Sequence, residues 1–105
     1  MFPARKRVAA HPGEVLQMIL IEHGITQTEL ARNLGTVQTK ISEICRAKRG
    51  ISAEMAMKLG KVLNMSPNIW LNLQKNWELS QVDKSKLSKV KPFKKISIDQ
   101  GKMAA

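Results

Sequence analysis

The sequence predicts an all-α domain of five short helices followed by a basic tail, and three observations carry that prediction. Apolar residues recur at three- and four-residue spacing in five successive segments. Each segment is flanked by residues that start or stop helices. The composition, with 4% aromatic residues, no Tyr and 4 Pro, lacks the aromatic and turn-rich bias of a small β-sandwich or barrel. At 105 residues and 43% hydrophobic, the chain has material for one core and one domain.

The first helix is read from Pro12 to His23, where Val15, Leu16, Ile19, Leu20 and His23 share a face. Pro12 suits a first turn and Gly24 a left-handed stop, while His11 reads as a helix-start residue and not as a metal ligand. Thr26 to Glu29 forms a Thr-x-x-Glu capping box for a second helix carrying Leu30, Ala31 and Leu34, closed by Gly35. A third follows at once, with Val37, Ile41, Ile44 and Cys45 at i, i+4, i+7 and i+8, and is expected to continue until Gly50 breaks it. Ser52 then caps a fourth helix bearing Met55, Ala56, Leu59, Val62 and Leu63, with Asn64 as its stop. Ser66 and Pro67 open a fifth, running through Ile69, Trp70, Leu73 and Trp77, and the compact region closes near Val82.

Charge divides the chain into the same parts. The net charge is +10, split as +3 over residues 1–10, +2 over 11–82 and +5 over 83–105. An acidic partner is implied, nucleic acid above all. Arg5, Lys6 and Arg7 make a basic arm, and the Lys-rich segment after Val82, interrupted by Pro92, reads as a mobile tail. No apolar run approaches the roughly 20 residues of a bilayer span, and the basic start lacks a signal-peptide core. A single cysteine, Cys45, excludes an internal disulfide, so a cytoplasmic protein is expected. Cys45 lies on the inner stripe of helix three, where burial would raise its pKa and leave it unreactive.

No Ser/His/Asp or Cys/His arrangement, paired-carboxylate site or phosphate-cradling glycine loop is evident, so neither catalysis nor a cofactor or metal is expected. Six Met, among them Met55, Met57 and Met65, are read as core fillers.

The junction of helices two and three carries the functional signal. Two short helices joined by a turn with glycine, the second presenting polar side chains outward, is the helix-turn-helix pattern. Ala31 is small where the helices cross, Gly35 permits the turn, and Leu30, Leu34, Ile41 and Ile44 set the angle. Gln38, Thr39 and Lys40 would meet base edges in the major groove; Glu43 would accept from cytosine or repel phosphate. Arg32, Arg46, Lys48 and Arg49, in a stretch of local charge +4 over residues 32–49, are where backbone phosphates would sit.

These residues carry a resemblance. Gln27-Thr-Glu-Leu-Ala-Arg-Asn-Leu-Gly35 followed by Gln38-Thr-Lys-Ile-Ser42 resembles the helix-turn-helix of the Xre, or lambda-repressor-like, family. His11-Pro-Gly-Glu14, Lys48-Arg-Gly-Ile-Ser52, and Ser66-Pro67 leading to Trp70-Leu-Asn-Leu-Gln74 are similar to HigA-type (VapI-like) antitoxins, over roughly residues 11–80. The resemblance implies a homodimer that binds double-stranded operator DNA, represses its own operon and neutralises a HigB-type toxin, a ribosome-dependent mRNA endonuclease. It gives Gln27 a phosphate at the start of helix two. It also puts the fifth helix at or near a dimer interface, with Trp70, Leu73 and Trp77 either there or closing the monomer core. Val37 departs from the family's usual Ser or Thr cap, which moves the expected cap to Thr36. Two rival readings are a stand-alone repressor and a basic protein- or RNA-interaction module whose helix-turn-helix serves only packing.

Overall fold

In a computed structural model, which describes residues 9–97, five α-helices follow one another: α1 (Pro12–His23), α2 (Gln27–Leu34), α3 (Gln38–Cys45), α4 (Ala53–Leu63) and α5 (Pro67–Ser80). A 3-10 turn, Lys84–Leu87, comes after α5, and no strand occurs among the described residues. Arg5, Lys6 and Arg7 of the basic arm, and the end of the tail, lie outside them.

α2 packs on α3, α4 on α5, and α1 crosses both α3 and α5. Leu16 and Leu20 of α1, Leu30, Ala31 and Leu34 of α2, and Ile41 and Ile44 of α3 are buried in one cluster. Ile51, Met55, Ala56, Leu59 and Trp70 complete it from below the motif. The stripes read from the spacing hold these buried positions, but three of their expected members lie outside: Val37 and Ile69 are 65% and 43% exposed, and His23 is exposed. Burial of a Leu or Ile side chain contributes roughly 1.5–3 kcal/mol, so six of them fix α1–α3 far more firmly than helix propensity could.

The ends follow the chemistry. Thr26 and Glu29 form the capping box, Ser52 and Ser66 accept from the first turns of α4 and α5, and Gly35 takes φ 73° to close α2. His11 caps α1, its Nδ1 accepting from the Gly13 N–H at 2.9 Å while Glu14 Oε2 accepts the His11 N–H at 3.0 Å. Gly13 is required for another reason: a Cβ there would stand 1.7 Å from the carbonyl oxygen of Ile44, so only glycine lets α1 meet the end of α3.

Four expectations are corrected. α3 ends at Cys45, five residues before Gly50, because Ala47 takes the left-handed conformation (φ 61°) and ends the helix without a glycine. Gly50 instead makes room for Gln74, which accepts the Ile51 N–H at 2.8 Å. The start of α3 has no side-chain cap at all: Val37, not Thr36, is its N-cap, with no hydroxyl to offer. Met57 is 65% exposed, since its position on α4 points away from the face that carries Met55 and Leu59. Trp70 is 0% exposed and fills the monomer core, so it has no surface left for a dimer partner. The Lys-rich segment is turned, with Asp83 accepting from Ser85 to start the 3-10 turn, and its side chains are exposed through residue 97.

Candidate nucleic-acid interface

Ile41 and Ile44 lie completely inside, and their burial orients α3 so that Gln38 and Thr39 are exposed and Lys40 and Glu43 half-buried along its outer side. Only Gly35, Thr36 and Val37 separate α2 from α3, and the Thr36 N–H donates to the Ala31 carbonyl at 2.9 Å, closing the end of α2. The geometry is that of a recognition helix held across its scaffold helix.

The first turn of α3 is held from two other helices. Gln38 Nε2 donates to Gln27 Oε1 at 2.7 Å, and Gln27 Nε2 donates to Gln17 Oε1 at 3.3 Å. Three amide side chains from α1, α2 and α3 thus form a chain that ends at Gln38. With its Nε2 donating to Gln27, Gln38 keeps its Oε1 and a second N–H for a base edge, the pair with which glutamine recognises adenine. Gln17 was not found from the sequence. It lies on the polar side of α1, and its partner stands ten residues away on another helix, a relation that no local spacing reveals.

The cations divide into two groups. Arg49 Nε and Nη2 both donate to Glu43 Oε1, at 3.0 and 2.8 Å, clasping α3 to the loop that follows. Glu43 therefore presents a carboxylate already engaged, and Arg49 a charge already answered. Arg32, Arg46 and Lys48 are exposed without an acidic partner at ion-pair distance among the described residues, Arg46 touching only the Ser42 carbonyl at 3.4 Å. The loop is shaped by its backbone: the Lys48 N–H reaches the Glu43 carbonyl at 2.8 Å across the left-handed Ala47. Arg46, Lys48 and Arg49 thereby stand together just past the end of α3.

On the far side, Leu73 and Trp77 of α5 are half-buried, and Trp77 meets the His11 ring edge-to-face with centroids 4.8 Å apart. Burial lowers the His11 pKa, with Glu14 opposing it. Burial likewise pushes the Cys45 thiol up, away from the reactive thiolate. Among the described residues no helix is long and apolar enough to cross a membrane, and no group of three His, Cys, Asp or Glu is placed to hold a metal ion.

Residues 16–70 match the family model described as helix-turn-helix, spanning the core of the fold from α1 to α5. The chain is 42% identical to virulence-associated protein A' of Dichelobacter nodosus over 92 residues, covering 87% of this chain and 80% of that one. Among solved structures it is similar to a Pseudomonas aeruginosa protein in complex with its 18-bp operator DNA, with a TM-score of 0.74, 35% identity, and 80% and 96% of the two chains covered. It is also similar to antitoxin GraA in complex with its operator, with a TM-score of 0.75, 32% identity, and 89% and 98% covered.

Proposed function

The chain belongs to the Xre-like helix-turn-helix family, with a DNA-binding, antitoxin-like fold, and from that premise we propose that it is a dimeric antitoxin that binds and represses its own operator and neutralises a HigB-type mRNA endonuclease. The observation that carries the DNA half is the Gln17–Gln27–Gln38 chain on a helix anchored by Ile41 and Ile44. A side chain held in place before binding loses little entropy when it meets a base, and fixed geometry is what discrimination requires. Gln38, Thr39 and Lys40 read bases. Gln27, Arg32, Arg46 and Lys48 hold phosphates, and Arg49 keeps the loop against Glu43 and adds its charge to the same stretch.

One eight-residue helix reads too few base pairs for useful selectivity, so two copies act together, their recognition helices about 34 Å apart on a palindromic site. Leu73 and Trp77, half-buried on the outer side of α5, are the dimer contacts in this reading. The Lys-rich tail and the basic arm add sequence-independent attraction to phosphate. The toxin half rests on the similarity to antitoxins such as GraA.

Two experiments test the halves separately. Footprinting upstream of the chain's own gene is expected to show a palindromic protected site; protection with no sequence preference would refute the repressor reading. Growth arrest by the adjacent reading frame, relieved by this chain, is the result expected of an antitoxin. Absence of arrest with the footprint intact would leave a stand-alone repressor.

A further inference from the structure

The positive charge is unevenly placed. Residues 11–31, which make α1 and most of α2, carry Glu14, Glu22 and Glu29 and not one Lys or Arg, in a chain with 18 such residues. Beside this stretch runs an open furrow where the end of α1, the body of α2 and the end of α4 come together. Its floor is Ile19, Ile25, Val62, Leu63 and Met65, all half-buried, and it widens to a hollow of about 400 Å³ toward Asn64 and 200 Å³ toward Asn33. Glu29 and the exposed His23 stand on its rim. Glu22 follows Ile19 by three residues on α1 and so flanks the same row. The cation among its lining residues, Arg32, already feels the charge of Glu29.

We infer that this furrow is the docking surface for the toxin, and specifically for a cationic face of it carrying an apolar anchor; the inference rests on the antitoxin reading above. A protein that cleaves RNA must carry a cationic face to hold phosphates. On a chain of net charge +10 such a face is repelled nearly everywhere, and the α1–α2 stretch is where it is attracted. DNA is repelled by the same carboxylates and finds no use for five apolar side chains. A second copy placed on a two-fold axis would set Glu22 and Glu29 against themselves. Apolar floor and acidic rim together ask for a partner that is apolar at its centre and basic around it.

The furrow shares no residue with the Gln17–Gln27–Gln38 chain or with α3. Arg32, which lines the furrow, is also one of the phosphate contacts proposed above, so the toxin and operator surfaces meet at that side chain and are otherwise separate.

The test uses the full chain and the purified product of the adjacent reading frame, with affinities for that product and for operator DNA measured in parallel. The double variant Glu22→Lys with Glu29→Gln removes the acidic rim while glutamine keeps the α2 capping box. It is expected to weaken toxin binding about tenfold or more at low salt, with operator affinity not reduced, as proof of the fold. His23→Lys, at an exposed position with no hydrogen bond, is an independent second variant, expected to weaken it several-fold. Lys86→Glu with Lys89→Glu is the control and is expected to leave toxin binding intact. Full toxin affinity in both furrow variants would overturn the docking surface while the antitoxin reading stands. No binding by the unaltered chain, together with no rescue of growth, would overturn the antitoxin reading and the docking surface with it.

Discussion

The two helices of the motif have equal length, eight residues each, and opposite construction at their ends. α2 is finished by its own residues: Thr26 Oγ1 accepts the Glu29 N–H at 3.0 Å, Glu29 Oε1 accepts the Thr26 N–H at 2.9 Å, and Gly35 closes the other end. α3 has no side-chain cap, no acidic residue in its first turn and no basic one in its last, and it stops on a left-handed alanine. What α3 lacks in local signals it recovers by burying Ile41 and Ile44 and by the glutamine chain from its neighbours. The contrast teaches that a supporting helix can satisfy itself, whereas a helix that meets a ligand leaves its first N–H groups open and takes its stability from packing.

Breaking the anchor of α3 has the largest effect. Ile44→Ala removes a fully buried side chain where α1, α2 and α3 converge, and is expected to cost about 3–4 kcal/mol in chemical denaturation. A loss under about 1 kcal/mol would show that α3 is held otherwise. Thr26→Ala opens the cap of α2 and is expected to cost about 1–2 kcal/mol, measured the same way. The converse change sharpens the contrast: Val37→Ser gives α3 the hydroxyl it lacks and is expected to raise stability by about 0.5–1 kcal/mol. No gain would mean that the first turn of α3 is already satisfied.

The smallest effect is a pH dependence at α1. Because the His11 pKa is lowered in the native state, the unfolded chain takes up the proton first as pH falls. Its contribution is complete above the ordinary histidine value of 6.5 and is lost as pH drops below it toward the lowered native value. Glu14, whose carboxylate faces His11, opposes the shift, and the Trp77 ring on the other side is uncharged. The melting temperature is expected to fall between pH 8 and pH 5. His11→Asn, which keeps an acceptor at the cap, is expected to flatten that slope; an unchanged slope would assign it to another group.

Most of this fold was legible because α1, α2, α4 and α5 announce themselves chemically: Pro12, the Thr26–Glu29 box, Ser52 and Ser66–Pro67 at the starts, Gly24, Gly35 and Asn64 at the stops. The end of α3 was not, since Ala47 is an ordinary helix former whose left-handed turn is imposed by the loop around it. The two tryptophans could not be told apart by spacing, because 70 and 77 share one face of α5 and only the packing of α1 and α4 decides that the first is enclosed and the second rests on His11. Of the interface, the polar outer set of α3 was readable from periodicity. The Glu43–Arg49 clasp and Gln17 were not, because both depend on where separate elements meet.

The central claim is that α3 reads sequence through a prepositioned Gln38. The most direct test compares Gln38→Ala with the unaltered chain on the footprinted operator and on random duplex of equal length, across a range of salt. A loss of about 1–3 kcal/mol on the operator, little change on random DNA and an unchanged salt slope is the predicted result. Equal losses on both duplexes would contradict it, and would make α3 a phosphate-binding element with no part in reading bases.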